Sequence, residues 1–487
     1  MNITLISFVV LYLLGTLAIG AWAGTRIKNT TDFAVAGRSL PLIMVVTTTF
    51  ATWFGAETVM GIPAKFVQGG LNAIVEDPFG AGTCLILVGM FFAARLYKLN
   101  LLTIGDFYRQ RYGKGIEVFC SIAIIISYLG WVAAQITALG LVFTVLTNGA
   151  MSETAGMIVG TLAVLIYVVI GGFLAVAWTD FIQMIVLVVG LTIIAIFSAD
   201  LAGGSAKVLT VISDKELWNF MPPATFTDIA FFVGAAVTMM LGSIPQQDVF
   251  QRVMSAKDAP TARTGAVIGG ASYIIFAAVP MFIVTCAIIV MGEGGLEMAK
   301  NDYQRLLPTF VLTKMPLVMQ ILFFGALLSA IKSTSSATLL APSTSFVENI
   351  LKNLRPGMSD KKQLFAMRAT IVVFAATVLA YAIAMKGTSI YELVSTAYQV
   401  TLVGAFVPLL MGLYWKRATT QGAVFSVGAG IAVWVMFFPQ ISPWGAAFPG
   451  QLAGLGAAFA GMIAGSLMPQ VLQNRQEAVH HVKGLNA

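Results

Sequence analysis

Charged residues are scarce in this chain. Only 10% of its 487 residues are Asp, Glu, Lys or Arg, while 58% are hydrophobic. A mean hydropathy of +0.88 excludes an ordinary water-soluble protein. Histidine is rarer still. His480 and His481 both lie in the tail, so no histidine proton relay runs through the apolar part. The three cysteines, Cys84, Cys120 and Cys286, are isolated within apolar runs. They give no disulfide framework and no Cys–His metal spacing. No nucleophile–base set and no cofactor motif is present, which argues against an enzyme. The net charge of +7 reads as cationic cytoplasmic loops rather than a nucleic-acid surface. The expected partner is a lipid bilayer, with no nucleic acid.

Long apolar runs are abundant. A bilayer crossing needs about 20 residues. Thirteen segments qualify: 3–24, 41–67, 72–97, 116–147, 152–175, 179–199, 226–250, 264–292, 317–349, 364–385, 390–414, 420–438 and 447–469. The first is too long for a signal peptide and lacks its cationic start. The fifth and sixth nearly touch at Gly171-Gly172. Lys and Arg crowd alternate loops, 20 of the 28 falling on one side. That bias places the N-terminus outside and the C-terminus, with a short tail at 470–487, in the cytoplasm. The two longest loops, 200–225 and 293–316, then lie outside. The second can form a short helix that acts as a lid, or a plain connector.

Two spans are interrupted. The second reads Thr52-Trp-Phe-Gly-Ala-Glu-Thr-Val-Met-Gly-Ile-Pro63, and the seventh Leu241-Gly-Ser-Ile-Pro-Gln-Gln-Asp-Val-Phe250. They lie five spans apart. Matched interruptions point to an inverted-repeat transporter with a site at the midplane. The repeats are expected at 41–199 and 226–414, within one transmembrane domain. Broken helices free carbonyls for a cation and amides for an anion.

Polar residues within these spans mark candidate sites. Phe324-Gly-Ala-Leu-Leu-Ser-Ala-Ile-Lys-Ser-Thr-Ser-Ser-Ala-Thr-Leu-Leu-Ala-Pro342 carries a run of hydroxyls and one lysine. At ~100° per residue with Ala330 at zero, Thr334 falls near ~40°, Ser333 near ~300°, Ser336 near ~240° and Lys332 near ~200°. Ala330, Ser333 and Thr334 thus share a face suited to a hard cation such as Na⁺. Hydroxyls that simply pack helix against helix are the plainer alternative. Lys332 is too deep to snorkel. It can pair with a carboxylate, Asp180 first, supply a fixed positive charge in place of a second ion, or meet an anionic solute. Glu57 lies inside the first break with no helix start beside it. Glu76 and Asp77, before Pro78, look like a helix start at the outer surface. Asp180 is either an interfacial N-cap or a site residue. Asp248 and Arg252, four apart, can pair.

Asp32-Phe-Ala-Val-Ala-Gly-Arg-Ser-Leu40, Gly171-Gly-Phe-Leu-Ala-Val-Ala-Trp-Thr-Asp-Phe-Ile-Gln183 and the Ser333-Thr334 pair resemble the sodium:solute symporter family. Ile244-Pro-Gln-Gln-Asp-Val-Phe-Gln-Arg-Val253 and Trp131-Val-Ala-Ala-Gln-Ile-Thr-Ala-Leu-Gly140 look most like its choline-transporter-like branch. The resemblance implies an all-α membrane protein with a five-plus-five inverted-repeat (LeuT-type) core. It implies a Na⁺ site from the carbonyls of Ala51, Phe54 and Ala330 and the hydroxyls of Ser333 and Thr334. A second Na⁺ site of some members would use Asp180, Ser333, Ser336 and position 337. Here that position is Ala337, and Lys332 stands where a methionine-like residue is common. Lys332 is therefore expected to abolish or replace the second ion.

Trp131 matches a position of the aromatic cage in that branch. Gln246 replaces a tryptophan, and Glu57 replaces a small residue. A more polar pocket is expected, with Glu57, Thr58, Trp131, Gln135, Gln246 and Tyr398 near an amine or amino-acid-like solute. The implied activity is secondary active import coupled to Na⁺ by alternating access, in a cell or bacterial inner membrane, by a functional monomer. The rivals are a Na⁺-independent carrier, proton-coupled or facilitative, and a transporter-like solute sensor.

Overall fold

The computed structural model describes residues 3–438 and 441–472. His480, His481, Arg475, Lys483 and nearly all of the expected tail lie outside the described residues. Among the described residues the chain is helical, apart from one isolated bridge between Leu40 and Ala256. In hydrocarbon this is required, because each backbone group must find its partner within its own helix.

Nine helices of the described residues are long and apolar enough to cross a bilayer, or ten if the bent pair Phe226–Gly242 and Gln247–Met254 forms one span. Three features separate this count from the expected thirteen. The second expected span is broken into Leu42–Phe50, Glu57–Gly61 and Ile62–Gly69. Thr420–Met436 is short. The expected spans 152–175 and 179–199 form one helix, Glu153–Leu201, of 49 residues. Its length of about 74 Å at ~1.5 Å per residue is more than twice a hydrocarbon core of ~30 Å. The helix turns at Gly172, where φ is 51° and ψ is −151°. A β-carbon there would lie 2.6 Å from the Phe33 carbonyl oxygen, so only glycine fits. The glycine pair thus marks a sharp direction change without an intervening loop.

Both expected interruptions are present. In the second expected span the α-helix stops at Phe50, residues 51–55 form a turn, and a π-helical turn opening at Glu57 leads into the α-helix that resumes at Ile62, so a helix start does lie beside Glu57. Phe226–Gly242 and Gln247–Met254 meet at 47°. The bundle interior is lined by Leu317–Ser345, Glu153–Leu201 and Lys114–Leu146, which are among the most extensively packed elements. The loop 293–316 contains two helices, Glu293–Asn301 and Tyr303–Lys314. The other long loop carries Ser205–Asp214 and doubles back, so that Leu71 N–H donates to the Leu217 carbonyl at 2.9 Å.

Candidate functional site

Ala51, Phe54, Asp180, Ala330 and Ser333 border a cavity of about 10 Å³. That is the space of roughly one water or small ion. Four of these are among the five residues expected to hold Na⁺. The fifth, Thr334, places its hydroxyl 3.5 Å from the Ala51 carbonyl. The break supplies the carbonyls, because residues just past Phe50 have left the regular i→i−4 ladder. Leu317–Ser345 supplies the hydroxyls from the shared face that helical spacing predicts. The cavity joins hard oxygen ligands to a carboxylate, which suits a small monovalent cation. Among the described residues no cluster of three or more His, Cys, Asp or Glu could hold a metal ion.

Asp180 is neither an interfacial cap nor the partner of Lys332. It lies mid-helix, fully buried, because the chain turns at Gly172 rather than beside it. Its Oδ1 accepts from Ser333 Oγ at 2.5 Å and its Oδ2 from Thr48 Oγ1 at 2.6 Å. Arg252 Nη2 lies 3.9 Å from Oδ2. The same guanidinium donates to the Thr48 carbonyl at 2.7 Å and pairs with Asp248 at 3.5 Å. Asp248 Oδ1 in turn accepts from the Tyr128 hydroxyl at 2.5 Å. The expected i,i+4 pair of Asp248 and Arg252 is therefore present, but as part of a buried knot spanning five helices.

Lys332 points away from this knot. Its ammonium donates to Thr16 Oγ1 and lies 4.1 Å from the centroid of the Tyr167 ring. The expected pairing with Asp180 is absent because Lys332 and Ser333 leave the helix in different directions. Ser336 donates to the Ser333 carbonyl at 2.7 Å, and the Tyr167 hydroxyl donates to the Lys332 carbonyl at 3.5 Å. Ser336 does not meet Asp180.

Beside the ion cavity lies a second buried cluster. Glu57 Oε1 accepts from Trp131 Nε1 at 3.1 Å, and Oε2 from Gln135 Nε2 at 2.5 Å. Gln135 Oε1 accepts from the Ala56 amide at 3.0 Å, so it bridges the broken helix to Lys114–Leu146. Trp53 and Trp131 have ring centroids 5.0 Å apart, and Tyr398 packs 5.8 and 5.5 Å from them. Thr58 donates to the Trp53 carbonyl at 2.8 Å. Gln246 lies farther round the cluster, donating to Ser127 at 2.8 Å and meeting Thr401 at 3.5 Å. Five of the six expected solute residues thus converge, and Gln246 lies at the edge. Sequence reasoning missed Trp53 and Tyr273; the aromatic character of Trp53, four residues before Glu57, was the available signal.

The two clusters meet at Gly55. A β-carbon there would lie 2.7 Å from Glu57 Oε2, 2.7 Å from Thr334 Oγ1 and 2.9 Å from Gln135 Oε1. A residue of the ion wall and two of the solute wall therefore share one point of contact.

Glu76 and Asp77 are not at the surface. They are 5% and 1% exposed. Val75–Gly80 packs into the bundle against Phe226–Gly242, and the returning loop lies beside it, with Phe79 against Phe220 at 5.0 Å. Glu76 accepts from Ser395 at 2.6 Å. Asp77 accepts from the Tyr273 hydroxyl at 2.5 Å, and that hydroxyl is 3.0 Å from Thr58 Oγ1.

Several known transporters are similar to this chain over most of its length. The chain is 29% identical over 449 residues to the high affinity choline transporter 1 of Homo sapiens, covering 88% of this chain and 75% of that protein. It is 28% identical over 444 residues to the high-affinity proline transporter of Bacillus subtilis, covering 86% and 89%. It is 25% identical over 451 residues to the sodium/pantothenate symporter of Haemophilus influenzae, covering 90% of each. A solved structure of a Na⁺-coupled sialic acid symporter superposes with a TM-score of 0.82 at 21% identity, covering 96% of this chain and 99% of that one. A structure of MhsT in complex with L-phenylalanine shares the fold more distantly, at a TM-score of 0.51 and 15% identity. The sequence pattern of the sodium:solute symporter family spans residues 33–430, and the chain belongs to that family.

Proposed function

We propose that the protein imports a small organic amine or amino-acid-like solute, driven by inward Na⁺ movement through alternating access. The observation that carries this reading is the one-ion cavity joined at Gly55 to a buried carboxylate ringed by aromatic side chains. Na⁺ would be held by the Ala51, Phe54 and Ala330 carbonyls and the Ser333 and Thr334 hydroxyls. With the ion bound, the broken helix keeps Gly55 against Thr334, and Glu57 stays in position for the solute. Ion loss loosens both walls together, which is the coupling that symport needs. Glu57, Thr58, Trp131, Gln135 and Tyr398 form the solute wall, with Gln246 behind it.

The repeats at 41–199 and 226–414 would rock about this site, with the N-terminus outside, the C-terminus in the cytoplasm, and each monomer complete. The helices at Glu293–Asn301 and Tyr303–Lys314 would close the outer mouth. Lys332 supplies a fixed internal cation against Tyr167, leaving at most one Na⁺ per cycle. The relatives named for choline and proline support an amine-bearing solute, and Glu57 supplies its counter-charge.

Proteoliposomes test the reading. An inward Na⁺ gradient should drive accumulation of a radiolabelled amine, and K⁺ at matched ionic strength should not. Equal uptake in both salts would replace symport with a Na⁺-independent carrier.

A further inference from the structure

Three buried carboxyls, Glu57, Glu76 and Asp77, lie in one tier of the bundle. Asp77 adjoins Glu76 in the chain and is joined through the Tyr273 hydroxyl to Thr58, the residue after Glu57. Among the described residues none of the three forms an ion pair with a Lys or Arg. The buried Arg252 is engaged by Asp180 and Asp248, and Lys332 by Thr16 and Tyr167. Lys65, over the Tyr391 ring near the outer end, pairs with Glu392 at 3.8 Å. Burying anionic groups without a cation is costly.

Two further features point to a guest. Oε1 of Glu76 and Oδ2 of Asp77 are buried and accept no hydrogen bond. Independently, the Tyr398 hydroxyl is buried and unpartnered. Its electrostatic neighbours are Asp248 and Tyr128 first, then Glu57 and Asp77, so it stands between the knot and the carboxyl tier. Its ring closes an aromatic wall with Trp53 and Trp131 around Glu57, the surroundings that favour an organic cation. A solute carboxylate finds no free cationic side chain in this tier.

From this arrangement we infer that the solute is an organic dication, an amine bearing a second amino group. One ammonium meets Glu57 within the aromatic wall. The other meets Asp77 and Glu76, reached past Thr58 and Tyr273. This deepens the proposed function and rests on its placement of the solute at Glu57.

The test uses the full-length purified protein in Na⁺ and three probes: α,ω-diaminobutane, its mono-N-acetyl derivative and butylamine. Binding is read by thermal stabilisation. Diaminobutane should half-saturate at a concentration at least about tenfold below either monocation, a difference of ~1.4 kcal/mol. Asp77→Asn should shrink that preference toward unity, and Glu57→Gln should weaken all three probes. Glu76→Gln and Tyr273→Phe serve the same purpose if Asp77→Asn does not fold. Equal binding of diamine and butylamine, or a preference unchanged in every outer-tier variant, would overturn the inference. Failure of the symport reading looks different: the diamine preference would persist while a Na⁺ gradient drove no uptake. If instead Na⁺ drove uptake of a monoamine or amino acid and no probe preferred two charges, the dication would fail and symport would stand.

Discussion

The Arg252 knot and the Glu57 tier are both buried, both carboxylate-rich and both built around a broken helix, yet their charges are handled in opposite ways. In the knot, Asp180 and Asp248 share one guanidinium and accept hydroxyl hydrogen bonds from Ser333, Thr48 and Tyr128. In the tier, three carboxyls have amide, indole and hydroxyl donors but no cation. A paired cluster can hold helices together through a transport cycle. A cluster without a cation among the described residues is where the proposed solute would bind. The knot also touches both sites, since Asp180 borders the ion cavity and Tyr128 stacks on Trp131 at 5.9 Å.

Breaking the knot should have the largest effect. Arg252→Met strands two buried carboxylates, which typically costs about 3–5 kcal/mol. The melting temperature in detergent should fall by many degrees, whereas neutralising the tier with Asp77→Asn in ligand-free protein should leave it unchanged or raise it. Similar losses in both variants would erase the distinction between the clusters.

Gly55→Ala comes next. Its β-carbon must displace Glu57, Gln135 or Thr334, and overpacking of this kind costs about 1–3 kcal/mol. Solute affinity in Na⁺ should fall roughly ten- to hundredfold, with a smaller loss in K⁺. A loss of equal size in both salts would show that Gly55 serves the solute wall alone.

Lys332→Met sharpens the comparison from a third direction, because it removes a buried cation that belongs to neither cluster. The Hill coefficient for Na⁺ in uptake should rise above that of the wild type as a second ion becomes admissible. An unchanged coefficient and an unchanged pH profile of uptake would remove Lys332 from the ion mechanism.

The smallest effect is expected at Asp106, on the loop helix Ile104–Tyr112 outside the membrane spans. Burial, with Glu348 nearby, pushes its carboxyl up to about 6. Because the folded state holds this proton more tightly than the unfolded chain does, stability should increase as pH falls from 7 through about 6. Asp106→Asn should flatten that part of the stability–pH curve, and an unaltered slope would assign the titration elsewhere.

Much of this was readable in the sequence where a residue type conflicted with its apolar surroundings. The hydroxyl face of Leu317–Ser345 and the glycine-rich break before Glu57 follow from helical spacing and glycine content, whereas the Gly171-Gly172 junction reads as two nearly touching spans and is a turn within Glu153–Leu201. The partners of charged residues were not readable. Asp180 is the first carboxylate the sequence offers Lys332, but Lys332 leaves the helix about 100° from the Ser333 that meets Asp180, and it reaches Thr16 instead. Glu76 and Asp77 look like a surface helix start, because nothing local reveals that Phe226–Gly242, Ser395 and Tyr273 enclose them. Long-range packing decides both cases. The fold class needed only periodicity and breaks, whereas the composition of the solute site needed the tertiary arrangement.

The most direct test of the account is the affinity of the purified protein for diaminobutane in Na⁺ and in K⁺ at matched ionic strength, with Ser333→Ala alongside. Coupling through the shared wall at Gly55 predicts at least about tenfold tighter binding in Na⁺, and loss of most of that advantage in Ser333→Ala. Equal affinity in the two salts in the wild-type protein would contradict it.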